Sequence, residues 1–421
     1  MVTLSQKQLQ RIKVIEGVVE GRLTVGRGAE LLQLSPRQVQ RLKQRYEPED
    51  ATWVYHGNRG RTPVNAIPEP VRQKVVELAR SAYAGFNDHH LQEKLVQQED
   101  LAVSRQSVRR ILREAGLASP HKRRAPKYRS RRERRDQEGA MLQADASRHD
   151  WLEGRGSQLT LLGMIDDATG KVPVARFQIE PEDTAGYLRI SRQLVEETGI
   201  PLSIYRDQHG AFQRNDSHWS IAEQLAGRQD PTQLGRCWEE LGITSIPALS
   251  PQAKGRVERL WRTFQDRLIS ELRLAQACSL EQANAVLKRF LPEYNQRFAK
   301  PARNSALAYR KLDRRLDLDY IFSLRYNRTV GNDHVITAIP GVTIQLPPLA
   351  NGRGYASKKV DVCHQPNGDF HVYLERRLLH IERAAPDAGP VRAHDFRQSK
   401  APPKKKPIRV YKYAGRLALP S

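Results

Sequence analysis

Residues 141–170, MLQADASRHDWLEGRGSQLTLLGMIDDATG, decide the fold. Met141–Asp145 reads as a short strand that ends on a carboxylate, and Leu159–Ile165 as a nearly continuous apolar strand. Asp166-Asp167-Ala168-Thr169-Gly170 is turn chemistry, and Val172–Ile179 returns as a third strand. The pattern then alternates. Thr184–Thr198 is a helix, Leu202–Arg206 a fourth strand, Leu234–Leu241 a helix, Ile243–Ala248 a fifth strand and Gln252–Leu272 a long helix. Three hairpin-type strands followed by alternating helix and strand predict an α/β core with a mixed five-stranded sheet and helices on its faces. That is the RNase H-like order, here expected over 139–275.

Three acids stand at the ends of these elements: Asp145 in LQADASRHDW (142–151), Asp207 in SIYRDQHGAF (203–212) and Glu258 in SPQAKGRVERLW (250–261). In such a sheet the first and fourth strands are neighbours, so the aspartates project from adjacent strand ends. The helix after strand five crosses the same edge and delivers Glu258. Converging carboxylates repel one another unless they hold cations, and hard oxygen ligands with open positions suit Mg²⁺. Two such ions, for which Mn²⁺ can substitute, stabilise both the attacking and the leaving oxygen of an in-line phosphoryl displacement. Asp145 is assigned the bridge between them, with Asp207 and Glu258 flanking.

Ser250-Pro251 supplies a cap and an N1 proline for the Glu258 helix. Val257, Trp261, Phe264 and Leu268 form its apolar stripe. Lys254, Arg256, Arg259 and Arg262 surround Glu258, as suits a helix pressed on phosphates, and the first three are candidate DNA contacts. Asp150 is the alternative to Asp145 as first ligand, while Asp166-Asp167 reads as hairpin chemistry. His149 and His209 flank the acids as candidate supporting groups, placed to touch water or a scissile phosphate.

Upstream, residues 4–46 predict three short helices (Ser5–Glu20, Val25–Gln33, Arg37–Tyr46). The last buries Val39 and Leu42 and presents Arg37, Gln38, Arg41 and Arg45. This is a helix-turn-helix pattern, in which long polar side chains reach base edges in the major groove. It returns once, with helices at Pro68–Ser81, Asp88–Gln98 and Arg105–Gly116, the last exposing Arg105, Gln106, Arg109, Arg110 and Arg113. SPHKRRAPKYRSRRERR (119–135) is too densely charged to pack and reads as an extended linker in which Lys122, Arg123 and Arg124 track a phosphate backbone.

The chain has 421 residues, with 70 Lys+Arg against 47 Asp+Glu, a net charge of +23 that favours a polyanionic partner. Its three cysteines, Cys237, Cys278 and Cys363, lie far apart and form neither a CxxC zinc pattern nor a disulfide framework. No signal-peptide core and no apolar run of membrane-spanning length is present. The chain is expected to be cytoplasmic, prokaryotic and nucleoid-associated.

Toward the C-terminus, Leu280–Leu312 reads as helical. HVITAIPGVTIQLP (334–347) and KKVDVCHQPNGDFHVYLERRLLHIER (358–383) alternate around tight turns, including Pro366-Asn367-Gly368, and predict a small β-barrel. The expected organisation is multidomain. Helix-turn-helix units occupy 1–50 and 63–117, a basic linker 118–138 and the catalytic core 139–275. A helical connector covers 276–318, the barrel 319–384 and a basic Pro/Lys-rich disordered tail 385–421.

SPQAKGRVER resembles the glutamate motif of insertion-sequence transposases of the DDE/retroviral-integrase superfamily. DASRHDWLEGRG and TLLGMIDDATG are similar to the first two strands of its ISNCY group. The resemblance covers roughly residues 4–383 and implies that Asp145, Asp207 and Glu258 are the catalytic triad. The spacing 207 − 145 = 62 is ordinary for that family, and 258 − 207 = 51 is longer than the compact retroviral arrangement. The extra residues, Arg214–Gln233, are expected to form a loop. Helix-turn-helix units stand where retroviral integrases carry a His/His/Cys/Cys zinc unit. The resemblance further implies double-stranded DNA as partner, both element ends and target, and a homo-oligomer of at least two copies. Two other readings remain: an inactive transposase-derived DNA-binding regulator, and a sequence-blind nuclease, which would not need the helix-turn-helix units.

Overall fold

The computed structural model describes residues 4–55, 58, 62–120, 133–214, 219–248, 255–347, 354–386 and 388–394. The chain divides into two compact units, Met1–Lys74 and Val75–Ser421. In the first, Gln6–Val19 (α1), Val25–Leu32 (α2) and Pro36–Gln44 (α3) are helices. Ser35 and Gln38 start α3 reciprocally: Ser35 Oγ accepts from Gln38 N at 3.3 Å and Gln38 Oε1 accepts from Ser35 N at 3.2 Å. Ile15, Val18, Ala29 and Val39 close the core of this unit.

Helix α4 (Glu69–Arg80) spans the boundary, and α5 (Asp88–Gln97) and α6 (Arg105–Glu114) follow it. The larger unit then runs β1 (Leu142–His149), β2 (Leu159–Asp166), β3 (Val174–Gln178), α7 (Thr184–Glu197) and β4 (Ser203–Arg206). It continues through α8 (Ile221–Ala226), α9 (Gln233–Glu240), β5 (Thr244–Pro247), α10 (Gly255–Leu274) and α11 (Leu280–Phe298). The sheet order is β3-β2-β1-β4-β5. β1 and β3 flank β2 antiparallel, whereas β1–β4 and β4–β5 are parallel. The expected mixed five-stranded α/β core is therefore present.

The pleat explains its layers. Leu142, Ala144, Leu162 and Met164 pack toward Tyr187, Leu188 and Leu194 of α7 and Trp238 of α9. Leu159, Leu161, Ala175 and Phe177 pack toward Val257, Trp261, Phe264 and Leu268 of α10 and Phe290 of α11. α11 also closes the outer edge of β3. Asn284 accepts from Phe177 N at 2.9 Å and donates to its carbonyl at 3.2 Å. Asn295 does the same for Val172, just before the strand, at 2.8 and 3.0 Å. Two side-chain amides thus take the place of a neighbouring strand on an edge that would otherwise invite pairing.

Two expectations are corrected. β1 continues to His149, because Ala146–His149 pair with Leu159–Leu162, so Asp145 lies mid-strand. The C-terminal region is not a closed barrel among the described residues. After a short helix, α12 (Leu318–Ile321), come β6 (Leu324–Thr329), β7 (Val335–Ile339), β8 (Val342–Gln345), β9 (Lys359–His364), β10 (Phe370–Leu374) and β11 (Arg377–Glu382). They form an open sheet, β11-β10-β9-β6, and a separate β7–β8 pair. Ile336, Ala338 and Ile344 of that pair cover Val360, Val362 and Val372, so the apolar face is buried by stacking and no strand closure is needed. Gly368, at φ 98°, makes the β9–β10 turn.

Lys122, Arg123 and Arg124 of the linker, Ser250, Pro251 and Lys254 before α10, and the tail from 395 onward lie outside the described residues.

Candidate active site

Asp145 stands opposite Gly163 of β2 and is half-buried on the α10 side of the sheet. There the Trp261 indole N–H donates to Asp145 Oδ2 at 2.9 Å. Glycine permits this approach, since a Cβ at position 163 would lie 3.1 Å from Trp261 Cη2 and 3.3 Å from Ala175 Cβ. Asp207 follows β4 directly. The pairing of Leu142 with Ile204 and Gln143 with Tyr205 fixes an offset of 204 − 142 = 62, and 207 − 145 is also 62. Carried on past the end of β4, this register puts Asp207 level with Asp145 of the neighbouring parallel strand. Asp207 Oδ1 accepts from His209 N at 2.9 Å, and His209 O accepts from Phe212 N at 2.9 Å, which winds 207–212 into a tight turn.

A third acid lies beside this pair: Glu182, on the connection between β3 and α7. The buried Tyr187 hydroxyl donates to Glu182 Oε1 at 2.6 Å, and His209 Nδ1 lies 3.9 Å from the same oxygen. Burial pushes the Glu182 carboxyl above its usual range. The Tyr187 hydrogen bond and His209 oppose this, and the charges of Asp207 and Asp145 add to it. Burial, then the charge of Glu182, drives the Tyr187 hydroxyl far up, so it remains a donor. Asp183 fixes the segment by capping α7, accepting from Gly186 N at 2.8 Å.

Glu258 is exposed in the first turn of α10, three residues before Trp261. The described residues contain no group of three or more His, Cys, Asp or Glu gathered closely enough to hold a metal ion. The register brings Asp207 to the level of Asp145, while Glu258 is exposed on α10. Three carboxylates have no reason to close up without a cation, and the helix N-terminus favours an acid where Glu258 stands. The level pair, with Glu182 reinforcing its negative field, fits a hard cation in charge and donor type.

Asp150 Oδ1 accepts from Gly154 N at 3.1 Å and forms a turn on the surface. Asp166 and Asp167 are fully buried. Asp166 holds Thr169 N at 2.7 Å and Gly139 N at 2.9 Å, while Asp167 holds Arg135 N at 2.9 Å. His149 is exposed at the end of β1, edge-on to Trp151 at 5.7 Å. His209 instead sits beside Asp207 and Glu182.

Of the candidate DNA contacts, Arg37, Gln38, Arg41 and Arg45 are exposed on or just after α3, although Gln38 spends its oxygen on the cap. Arg105, Gln106, Arg109 and Arg110 are exposed on α6. Arg113, expected on that face, turns away to Asp88 at 2.7 Å. Arg259 is exposed on α10. Arg256 is committed elsewhere: it pairs with the buried Asp167 at 3.2 Å, which corrects its reading as a free phosphate contact.

Charges also hold α5 onto α10. Arg267 grips Glu93 at 2.7 and 3.2 Å, and Glu271 takes His90 at 2.7 Å and Lys94 at 2.9 Å. His90, Glu93, Lys94 and Arg267 are all buried.

No protein-family model matches the chain. A putative transposase of Sinorhizobium fredii, y4bF, is 39% identical over 381 residues, spanning 90% of this chain and 79% of its own length. The chain belongs to the insertion-sequence transposases. The transposase for insertion sequence IS1202 of Streptococcus pneumoniae is 29% identical over 332 residues, 71% of this chain and 70% of that one. Among solved structures, the catalytic core domain of BIV integrase is 17% identical at TM-score 0.27, covering 38% of this chain and 85% of that one. A simian T-cell lymphotropic virus intasome in complex with PP2A regulatory subunit B56 gamma is 13% identical at TM-score 0.31, covering 75% and 100%. The fold assignment rests on the sheet order.

As a transposase the chain acts in DNA transposition. No helix among its described residues is long and apolar enough to cross a membrane. Sequence reasoning missed Glu182, whose one local signal is its place in EPEDTAG (180–186), an acidic run opening a helix.

Proposed function

We propose that this transposase binds the ends of its element and catalyses Mg²⁺-dependent strand cleavage and strand transfer, with Asp145, Asp207 and Glu258 as the metal-holding carboxylates. The observation that carries this reading is the level pair Asp145–Asp207, with the helix bearing Glu258 pinned to Asp145 through Trp261. Trp261 orients the Asp145 carboxylate, the His209 N–H orients that of Asp207, and Glu258 swings inward when DNA fills the edge. Two Mg²⁺ ions, or Mn²⁺ in their place, supply charge neutralisation at the scissile phosphate and activation of the attacking oxygen.

In cleavage, water attacks phosphorus, the P–O3′ bond breaks and the 3′ oxygen leaves as a hydroxyl. In transfer, that 3′ hydroxyl attacks a target phosphorus, the target P–O3′ bond breaks and its 3′ oxygen leaves as a hydroxyl, so no covalent protein–DNA intermediate forms. The units at 1–50 and 63–117 act as helix-turn-helix readers through α3 and α6, and Arg259 contacts phosphate. Joining two ends calls for at least a dimer. The test is incubation of wild-type protein with an element-end duplex, a target plasmid and Mg²⁺. Nicked and joined products are expected. End binding without cutting or joining would instead make the chain a regulator.

A further inference from the structure

The pair Glu182–Tyr187 does work that the triad leaves unassigned. The turn 207–212 carries Asp207 at its start, and its carbonyls are held by Arg206 Nη1 on Asp207 at 2.9 Å and Thr232 Oγ1 on Ala211 at 2.8 Å. Tyr187 adds an anchor on its side chains. Its ring packs on Phe212 with centroids 4.5 Å apart, and Phe212 stacks in turn on Trp238 at 5.6 Å. Its hydroxyl is held by Glu182 at 2.6 Å, and Glu182 faces His209 Nδ1 at 3.9 Å from the other side. Ala211 N donates to His209 Nδ1 at 3.3 Å, which ties the imidazole to its own turn. The contacts run in a closed loop from Glu182 through Tyr187 and Phe212 to His209 and back to Glu182. The His209 backbone N–H within that loop holds Asp207 Oδ1.

We propose that Glu182 and Tyr187 are positioning residues for strand transfer, bracing the 207–212 turn so that the Asp207 carboxylate stays level with Asp145. This rests on the reading of Asp145 and Asp207 as the reacting centre. Partners of this kind, behind the groups that do the chemistry, are worth roughly 10- to 100-fold in activity.

The experiment is single-turnover joining of a pre-cleaved element end in Mg²⁺. Glu182→Gln, Tyr187→Phe and the double variant are compared, with end-binding affinity and thermal midpoint measured alongside. Glu182→Gln keeps an acceptor and removes the charge, while Tyr187→Phe keeps the ring and removes the hydroxyl. Each is expected to slow joining about tenfold at a temperature where the variant remains fully folded, with end affinity unchanged and a loss larger than any fall in thermal midpoint explains, and the double variant to be no slower than either single. Wild-type joining by both singles would overturn the proposal. So would a loss that merely tracks thermal stability, or a double variant whose two losses multiply. If one single variant fails to fold, the other still decides. Asp145→Asn and Asp207→Asn run beside them. If those variants join, the reading of the centre itself fails; if they are dead while Glu182→Gln and Tyr187→Phe are normal, only the brace fails.

Discussion

Trp261→Phe isolates the contact that registers the Glu258 helix on the strand of Asp145. Phenylalanine keeps most of the packing, because Trp261 is only 7% exposed among aromatic neighbours such as Phe264. It removes one N–H, which lies 2.9 Å from Asp145 Oδ2. A hydrogen bond to an ionised partner contributes about 1.5–3 kcal/mol. At about 1.4 kcal/mol per decade, full expression of that in the chemical step slows joining by roughly 10- to 100-fold. Gly163→Ala disturbs the same contact from the strand side. Its Cβ would meet Trp261 Cη2 at 3.1 Å, so the indole must shift by a few tenths of an ångström and lift from Asp145. Overpacking there costs about 1–3 kcal/mol of stability. The assay is single-turnover joining of a pre-cleaved end, with end affinity and thermal unfolding measured in parallel. Folded Trp261→Phe that joins at the wild-type rate would refute the claim that this bond positions Asp145.

Four further outcomes are expected. Glu93→Ala leaves Arg267, 5% exposed, as a buried unpaired cation, and is expected to destabilise the α5–α10 contact by about 3–5 kcal/mol, read as lost hydrogen-exchange protection in 88–97. Burial raises the Glu93 and Glu271 carboxyls, but Arg267 on the first and His90 with Lys94 on the second outweigh it, so both sit below the ordinary 4.5. The stability they contribute is therefore present above about pH 4.5 and is lost as the pH falls through their depressed values, which acid titration of the same protection checks. Asn284→Ala uncovers the Phe177 N–H and C=O at the edge of β3, and is expected to cost about 1–3 kcal/mol in thermal or denaturant unfolding and to promote self-association. Arg109→Ala on α6 is expected to lower the salt slope of end binding by about 0.9, and an unchanged slope would remove that residue from the phosphate contacts.

Much of this was legible in the sequence because the signals were local. Apolar runs bounded by turn residues located all five core strands, and Val257, Trp261, Phe264 and Leu268 are buried as their spacing requires. The end of β1 was misjudged because Ser147, Arg148 and His149 look like a loop, and only their antiparallel partners in β2 make them strand. Helix α8 was missed inside Arg214–Gln233 because six residues carry too little periodicity. The barrel expectation failed because alternation reports strands but not which strands pair: 335–345 pair only with each other. Glu182 escaped notice because its partners lie at 145, 187 and 207–212, and tertiary packing alone gathers them. Arg256 looked like one more cation on a basic helix until the fold brought it to Asp167.

The central claim is that Asp145, Asp207 and Glu258 together perform the joining. Its most direct test is strand transfer of a pre-cleaved element end into a plasmid in Mg²⁺ by Asp145→Asn, Asp207→Asn and Glu258→Gln, each first shown to bind the end like wild type. The account predicts that joining disappears in all three while binding survives. Joining that persists in any one of the three variants would contradict it.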